Sequence, residues 1–275
     1  MSDTESESAP DIEAGRYLYC VVSLDEEEDP SAFDAEGVDS VAVRVVAFAG
    51  LGAVVHDTDA LYDSEDPQQV QSWLLDHQSV VDAAGERFGT PLPVRFDTVL
   101  RGGDEGVRSW LEDHRDTLER HLGRFAGCWE YRIEVLVDPE TLRAGLAEDD
   151  EQLRELAEKR ERVGEGTAFM VDKQYENRLR EVKRTAREAR TSSLESRLTD
   201  LADEVERLGS RTTALGVERE DRETQARLTV LAPESNEAAI GEVLDDVAAE
   251  TGVEVRFTGP WPPYSFAPSF DDGTE

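Results

Sequence analysis

Lysine is nearly absent from this chain: only Lys159, Lys173 and Lys183 occur among 275 residues, so most of the 29 basic residues are arginine. Cysteine is scarcer still. Cys20 and Cys128 are too few and too far apart for a disulfide framework, and each sits in an apolar, strand-like context where a buried thiol in a reducing compartment is expected. A membrane span needs about 20 apolar residues. The longest apolar run, Val41 to Val55, is shorter and carries Arg44 and two glycines, so no lipid-spanning helix is predicted. Residues 1–13 are acidic and Ser-rich with no hydrophobic centre, which reads as a disordered tail over 1–14 and not as a secretory signal.

Catalytic and metal-binding patterns are lacking too. His56, His77, His114 and His121 fall in separate elements, except that the last two stand seven apart on one predicted helix face, which is no metal signature. Gly102-Gly103-Asp104-Glu105-Gly106 opens a helix after a strand, yet it lacks the Lys-Ser/Thr of a phosphate loop, and its carboxylates repel an anion at that helix start. There is no Gly-x-Ser-x-Gly elbow, and neither cysteine has a histidine near it in sequence. No catalytic residue, metal or cofactor is predicted.

What the chain has in excess is carboxylate. Sixty-three Asp and Glu against 29 Lys and Arg leave a formal net charge of −34. Nucleic-acid recognition rests on clustered Lys and Arg, and here the cations are interleaved with acids, so a nucleic-acid partner is excluded. The composition resembles that of proteins from salt-accumulating halophilic archaea. At molar salt the screening length falls to about 3 Å, which removes most of the self-repulsion.

Periodicity predicts an α+β protein of two halves, residues 15–138 and 139–258, followed by a tail over 259–275. In the first half, Tyr17–Ser23 reads as a strand, and Val41–Phe48 and Ala53–His56 as a hairpin turning at Gly50-Leu51-Gly52. Asp66-Pro67 caps a helix that Gly89 and Pro91 stop. Leu92–Phe96 is a strand, 105–122 one helix, and Trp129–Val137 a strand. A ferredoxin-like sandwich fits this half. In the second half, Leu142, Leu146, Leu153, Leu156 and Val163 mark one helical segment. A longer helix is predicted from about Lys173 to Leu208, with apolar steps alternating between 4 and 3, as in a coiled-coil seam. The phase slips by a residue near Ser192 and Ser193, which predicts an intramolecular helical hairpin. A strand over 225–232, a helix over 236–251 and a strand over 253–258 follow.

The end of the chain is the most specific stretch. Gly259-Pro260-Trp261-Pro262-Pro263-Tyr264-Ser265-Phe266 follows a strand ending at Phe257. Its prolines remove backbone donors, so the segment is expected to leave the sheet and display Trp261, Tyr264 and Phe266, either to a partner or back onto a core. This order of residues resembles the C-terminal signature of the gas vesicle protein F/L family. Tyr17–Val22, the Pro93-Val94-Arg95-Phe96 motif, Trp129–Val135 and Gly166-Thr167-Ala168-Phe169-Met170 are similar to further family segments in the same order, covering about Gly15 to Phe266. Asp97 stands where the family commonly has glycine, and Asp tolerates the positive φ which that implies. The length and acidic N-terminus are most like the longer haloarchaeal L type.

The resemblance implies a modified ferredoxin-like N-terminal domain and a non-catalytic accessory protein of gas vesicle assembly, cytoplasmic and a minor vesicle component. Its expected partners are the small hydrophobic shell subunit and other accessory gas vesicle proteins. Expected protein-binding residues are Pro260, Trp261, Pro262, Pro263, Tyr264 and Phe266. Pro93, Arg95, Phe96, Gly166, Phe169 and Gly259 are expected to carry the family's structural motifs. The alternative left open is an enzyme of unrecognised type using an inter-domain cleft.

Overall fold

The computed structural model describes residues 14–25, 29–209 and 221–270; most of the acidic tail expected over 1–14 lies outside them. The chain divides into two units. One holds the described residues up to Glu130 together with those from Pro260 onward, and the other holds Tyr131–Gly259.

The first unit is built on strand β1 (Gly15–Ser23), whose residues Tyr17 to Val22 are all fully buried. A continuous apolar run of that length belongs to a strand covered on both faces. Its neighbours are β2 (Ala35–Glu36), β3 (Ala42–Phe48), β4 (Leu51–Thr58), β5 (Leu92–Pro93) and β6 (Val99–Leu100), in the order β2-β3-β4-β1-β5 with β6 also on β1. The β3–β4 hairpin closes through Ala49 and Gly50, both at positive φ, the two-residue turn whose twist suits antiparallel strands. Helix α1 (Pro67–Phe88) begins where Asp66 accepts the Gln68 N–H and ends at Gly89 with φ of 80°. Its buried face, Val80, Val81 and Ala84, packs on Tyr17, Tyr19 and Val22.

Two expectations for this half need correction. The helix expected over 105–122 is two, α2 (Gly103–Asp113) and α3 (Arg115–Phe125), because His114 leaves helical geometry at ψ of 4° and turns its Nδ1 to the Trp110 carbonyl at 2.9 Å. His114 and His121 therefore do not share one helix face. Nor is β1 followed by a helix before the hairpin, as a ferredoxin-like order requires.

That order occurs in the second sheet instead. Strand β7 (Cys128–Val137) leads through α4 (Pro139–Asp149), α5 (Glu151–Arg162) and α6 (Glu165–Leu198) to β8 (Glu204–Arg207) and β9 (Glu223–Pro233). Helix α7 (Glu237–Ala248) and β10 (Val253–Trp261) complete it. The sheet order β10-β7-β9-β8 is that of a split β-α-β pair. The strand expected to close the first domain at 138 thus pairs within the second sheet, and the division falls at Glu130/Tyr131.

The long helix ends at Leu198, ten residues before the sequence pattern suggests, and Val205 lies in β8, paired with Val230 of β9. Along α6 the buried face changes. Val171, Tyr175 and Leu179 pack against Leu153 and Leu156 of α5. Beyond the phase slip, Thr191, Leu194 and Leu198 are the buried positions, and Thr191 donates to the Gln225 carbonyl of β9. The slip near Ser192 marks the change from a helix partner to a sheet partner.

Candidate functional site

The C-terminal segment does not leave the sheet where its prolines suggest. β10 continues through Gly259, Pro260 and Trp261. It is an edge strand, where a residue without an N–H is tolerated because no second neighbour needs that donor. Gly259 has φ of 134°, a conformation L side chains rarely adopt, and so lets the strand continue into the prolines. Pro262 and Pro263 are then buried, and Tyr264 N–H and Phe266 N–H close turns onto the Pro262 and Pro263 carbonyls at 2.8 and 3.2 Å.

Glu130 latches the segment. Its buried carboxylate accepts the Ser265 backbone N–H at 2.7 Å and the Ser265 hydroxyl at 2.9 Å. Phe266 is 7% exposed, and Tyr264, whose hydroxyl is enclosed, has its pKa raised by burial. Phe270 stands edge-on to Trp110 at 5.2 Å. Of the three aromatics, expected to be displayed either to a partner or back onto a core, Phe266 and the Tyr264 hydroxyl turn inward and Trp261 is exposed, at 37%. Nothing in the sequence motif singles out Glu130 except a carboxylate inside an apolar strand. Glu130→Ala would leave two donors of Ser265 without their acceptor, a loss on the order of 1–3 kcal/mol. Hydrogen exchange at the amides of 264–267 should rise in this variant while β1 stays protected; unchanged exchange there would show that the latch does not hold the segment.

The other motif residues disperse. Pro93 is buried in β5 opposite Cys20. Phe96 packs on the first unit's core, edge-on to Tyr17 at 6.0 Å, while Arg95 is exposed. Asp97 takes φ of 64°, the left-handed conformation expected of it, and its carboxylate accepts the Tyr62 N–H at 2.9 Å. Gly166 lies in the first turn of α6, and a side chain there would meet nothing within 4 Å. Phe169 and Met170 follow at 74% and 63% exposure. Asp104, in the glycine loop, bonds Arg16 at 2.7 Å and Arg44 at 2.8 Å, so this loop presents an ion-pair node and not an anion cradle.

Behind β1 lies a polar cluster that no spacing of residues announces. β1 slips register between Leu18 and Cys20, and this bulge leaves the Tyr17 and Tyr19 rings 4.8 Å apart within the same core cluster. Tyr19 Oη accepts the Val38 N–H at 2.9 Å and is hydrogen-bonded to His56 Nδ1 at 2.6 Å, while His56 Nε2 is hydrogen-bonded to Tyr62 Oη at 3.0 Å. Tyr17 Oη likewise accepts the Asp97 N–H at 3.2 Å and is hydrogen-bonded to His77 Nδ1 at 2.8 Å. Burial pushes both imidazoles down to about 4 and Tyr62 up to about 12. The cluster ties β1, β4 and α1 together in a neutral state. Among the described residues no group of three or more His, Cys, Asp or Glu could hold a metal ion, and no helix is long and apolar enough to cross a membrane.

Comparison with known proteins adds the family. The model of the gas vesicle synthesis protein GvpL/GvpF family matches residues 15–268. Gas vesicle protein L2 of Halobacterium salinarum is 44% identical over 269 residues, spanning 98% of this chain and 96% of that protein. Gas vesicle protein L of Haloferax mediterranei is 41% identical over 282 residues, spanning 92% and 88%. The crystal structure of GvpF from Anabaena superposes with a TM-score of 0.71 at 21% identity, covering 93% of this chain and 99% of that one, which places the mixed α/β architecture among GvpF folds.

Proposed function

The chain belongs to the GvpL/GvpF family of gas vesicle synthesis proteins, and on that premise we propose that it is a non-catalytic accessory factor of gas vesicle assembly. It acts in the cytoplasm, binds the small hydrophobic shell subunit and other accessory gas vesicle proteins, and stays with the vesicle as a minor component. The observation that carries this reading is Trp261: an indole on a sheet edge, held in place by buried prolines and the Glu130 latch, on a surface otherwise dominated by carboxylates. A factor handling an apolar partner needs apolar surface fixed before binding, since ordering a flexible segment costs affinity.

The tail aromatics separate into testable roles. Trp261→Ala should abolish capture of the shell subunit and vesicle formation while the circular dichroism in molar salt keeps the parent's form. Phe266→Ala, at a buried position, should instead lower stability by about 3–5 kcal/mol. Normal vesicles from Trp261→Ala would overturn the contact proposed for this residue.

A further inference from the structure

In a chain with 63 carboxylates for 29 cations, a row of neighbouring cations none of which is salt-bridged is not the expected arrangement. Four such cations stand in a row. Lys173, Arg180, Arg184 and Arg187 follow each other along α6 at steps of seven, four and three, all exposed. At 3.6 residues per turn they lie within an arc of about 60° and over a length of about 21 Å. None of the four is in a salt bridge among the described residues; Arg180 bonds only the Asn177 side chain and the Glu176 carbonyl.

The neighbouring carboxylates are engaged elsewhere. Glu176 pairs with Arg143 at 3.3 Å, Glu181 with Arg178 at 2.9 Å, and Glu188 with Arg207 at 2.6 Å. Every acid that flanks the row is thus held by a cation on another face of α6 or on another element. At the N-terminal end the same face continues into Phe169 and Met170, the two most exposed large apolar side chains among the described residues. The α5 contact of Val171, Tyr175 and Leu179 is on the opposite side of the helix, and the row's own face turns inward only one turn past Arg187, where Thr191, Leu194 and Leu198 are buried toward β9.

We infer that the exposed stretch of α6 from Phe169 to Arg187 is a docking surface for an acidic amphipathic helix of a partner protein. Its carboxylates meet Lys173, Arg180, Arg184 and Arg187, and its apolar residues cover Phe169 and Met170. Charge complementarity selects an acidic partner. The partner is a protein helix and not a nucleic acid because the row ends in Phe169 and Met170, and a phosphate backbone has no apolar group to cover them. The apolar end supplies attraction that survives screening in concentrated salt. This inference is independent of the contact proposed for Trp261.

The test uses the full chain in molar KCl and a stapled helical peptide with four glutamates along one face and a leucine pair at one end. Fluorescence anisotropy should show binding that Arg180→Glu with Arg184→Glu weakens about tenfold, equivalent to about 1.4 kcal/mol. A peptide with lysines in place of the glutamates should then bind the charge-reversed variant better than the parent. Phe169→Ala with Met170→Ala should weaken the parent complex in the same salt. All these side chains are exposed, so the variants should keep the parent's circular dichroism. Three results would each overturn the inference: no peptide binding, equal binding by parent and charge-reversed chains, or duplex DNA binding that the reversal abolishes while the peptide fails. Sedimentation showing that the reversal only dissolves a homodimer would assign the face to a second copy and overturn it equally.

Discussion

Acidification from pH 7 to 5 should weaken the first unit by on the order of 4 kcal/mol, about 2 kcal/mol from each of His56 and His77. Both imidazoles are buried and held neutral, with burial pushing each down to about 4 from an ordinary 6.5. The unfolded chain therefore binds more protons than the folded one between those values. The stability this neutrality contributes is fully present above about 6.5 and is lost as pH falls toward 4. Asp39 and Asp57 near His56 act in the opposite direction, but burial is the larger effect. A loss of this size is a large part of a typical stability of about 5–15 kcal/mol. Denaturant unfolding in molar KCl at pH 7, 6 and 5 measures it directly. His56→Gln with His77→Gln keeps an acceptor for each tyrosine and removes the titration, so its stability should be nearly flat over this range. Parallel decline of parent and double variant would show that other groups set the acid limit.

The parts of the fold legible in the sequence are those that local chemistry decides. The Asp66-Pro67 start of α1, its Gly89 stop and the buried run of β1 all follow from residues within a few positions of each other. The corrections lie where distant contacts override a local pattern. Leu201, Val205 and Leu208 prolong the 4-3 spacing of α6, yet pairing with β9 makes Glu204–Arg207 a strand. Pro260 reads as a strand breaker, but the edge position of β10 removes the need for its missing N–H. The Tyr–His cluster depends on a bulge in β1 and on residues up to 80 positions apart, as in the Asp97–Tyr17 bond, and no spacing rule encodes it. The motif Gly166 to Met170 is legible in the sequence, but the exposure of Phe169 is not, because the phase of a helix is fixed only by the face it buries. Likewise the lysine and arginine of the α6 row can be read off the sequence, whereas the diversion of Glu176, Glu181 and Glu188 to other partners requires their placement in space.

Transfer from molar salt to about 0.1 M should unfold the protein or lower its melting temperature by tens of degrees. Dilution lengthens screening from about 3 Å to about 10 Å, so carboxylates on neighbouring turns and strands begin to repel each other. Low salt also strengthens the ion pairs, such as Arg16 and Arg44 with Asp104 or Arg207 with Glu195. The balance is decided by number: 63 acids less 29 cations leaves 34 carboxylates that no cation in the chain can neutralise, while an exposed pair contributes only about 0.2–1 kcal/mol. The relatives from Halobacterium and Haloferax, at 44% and 41% identity, fit a chain shaped for concentrated salt. Potassium chloride and sodium chloride should restore the circular dichroism alike, since screening does not depend on which cation supplies it. Sucrose, which favours compact states without screening, should restore it only in part. An equal melting temperature at about 0.1 M and molar KCl would mean that the excess charge lies far enough apart on the folded surface to be harmless. Full recovery in sucrose would point to a deficit of apolar burial in place of charge repulsion.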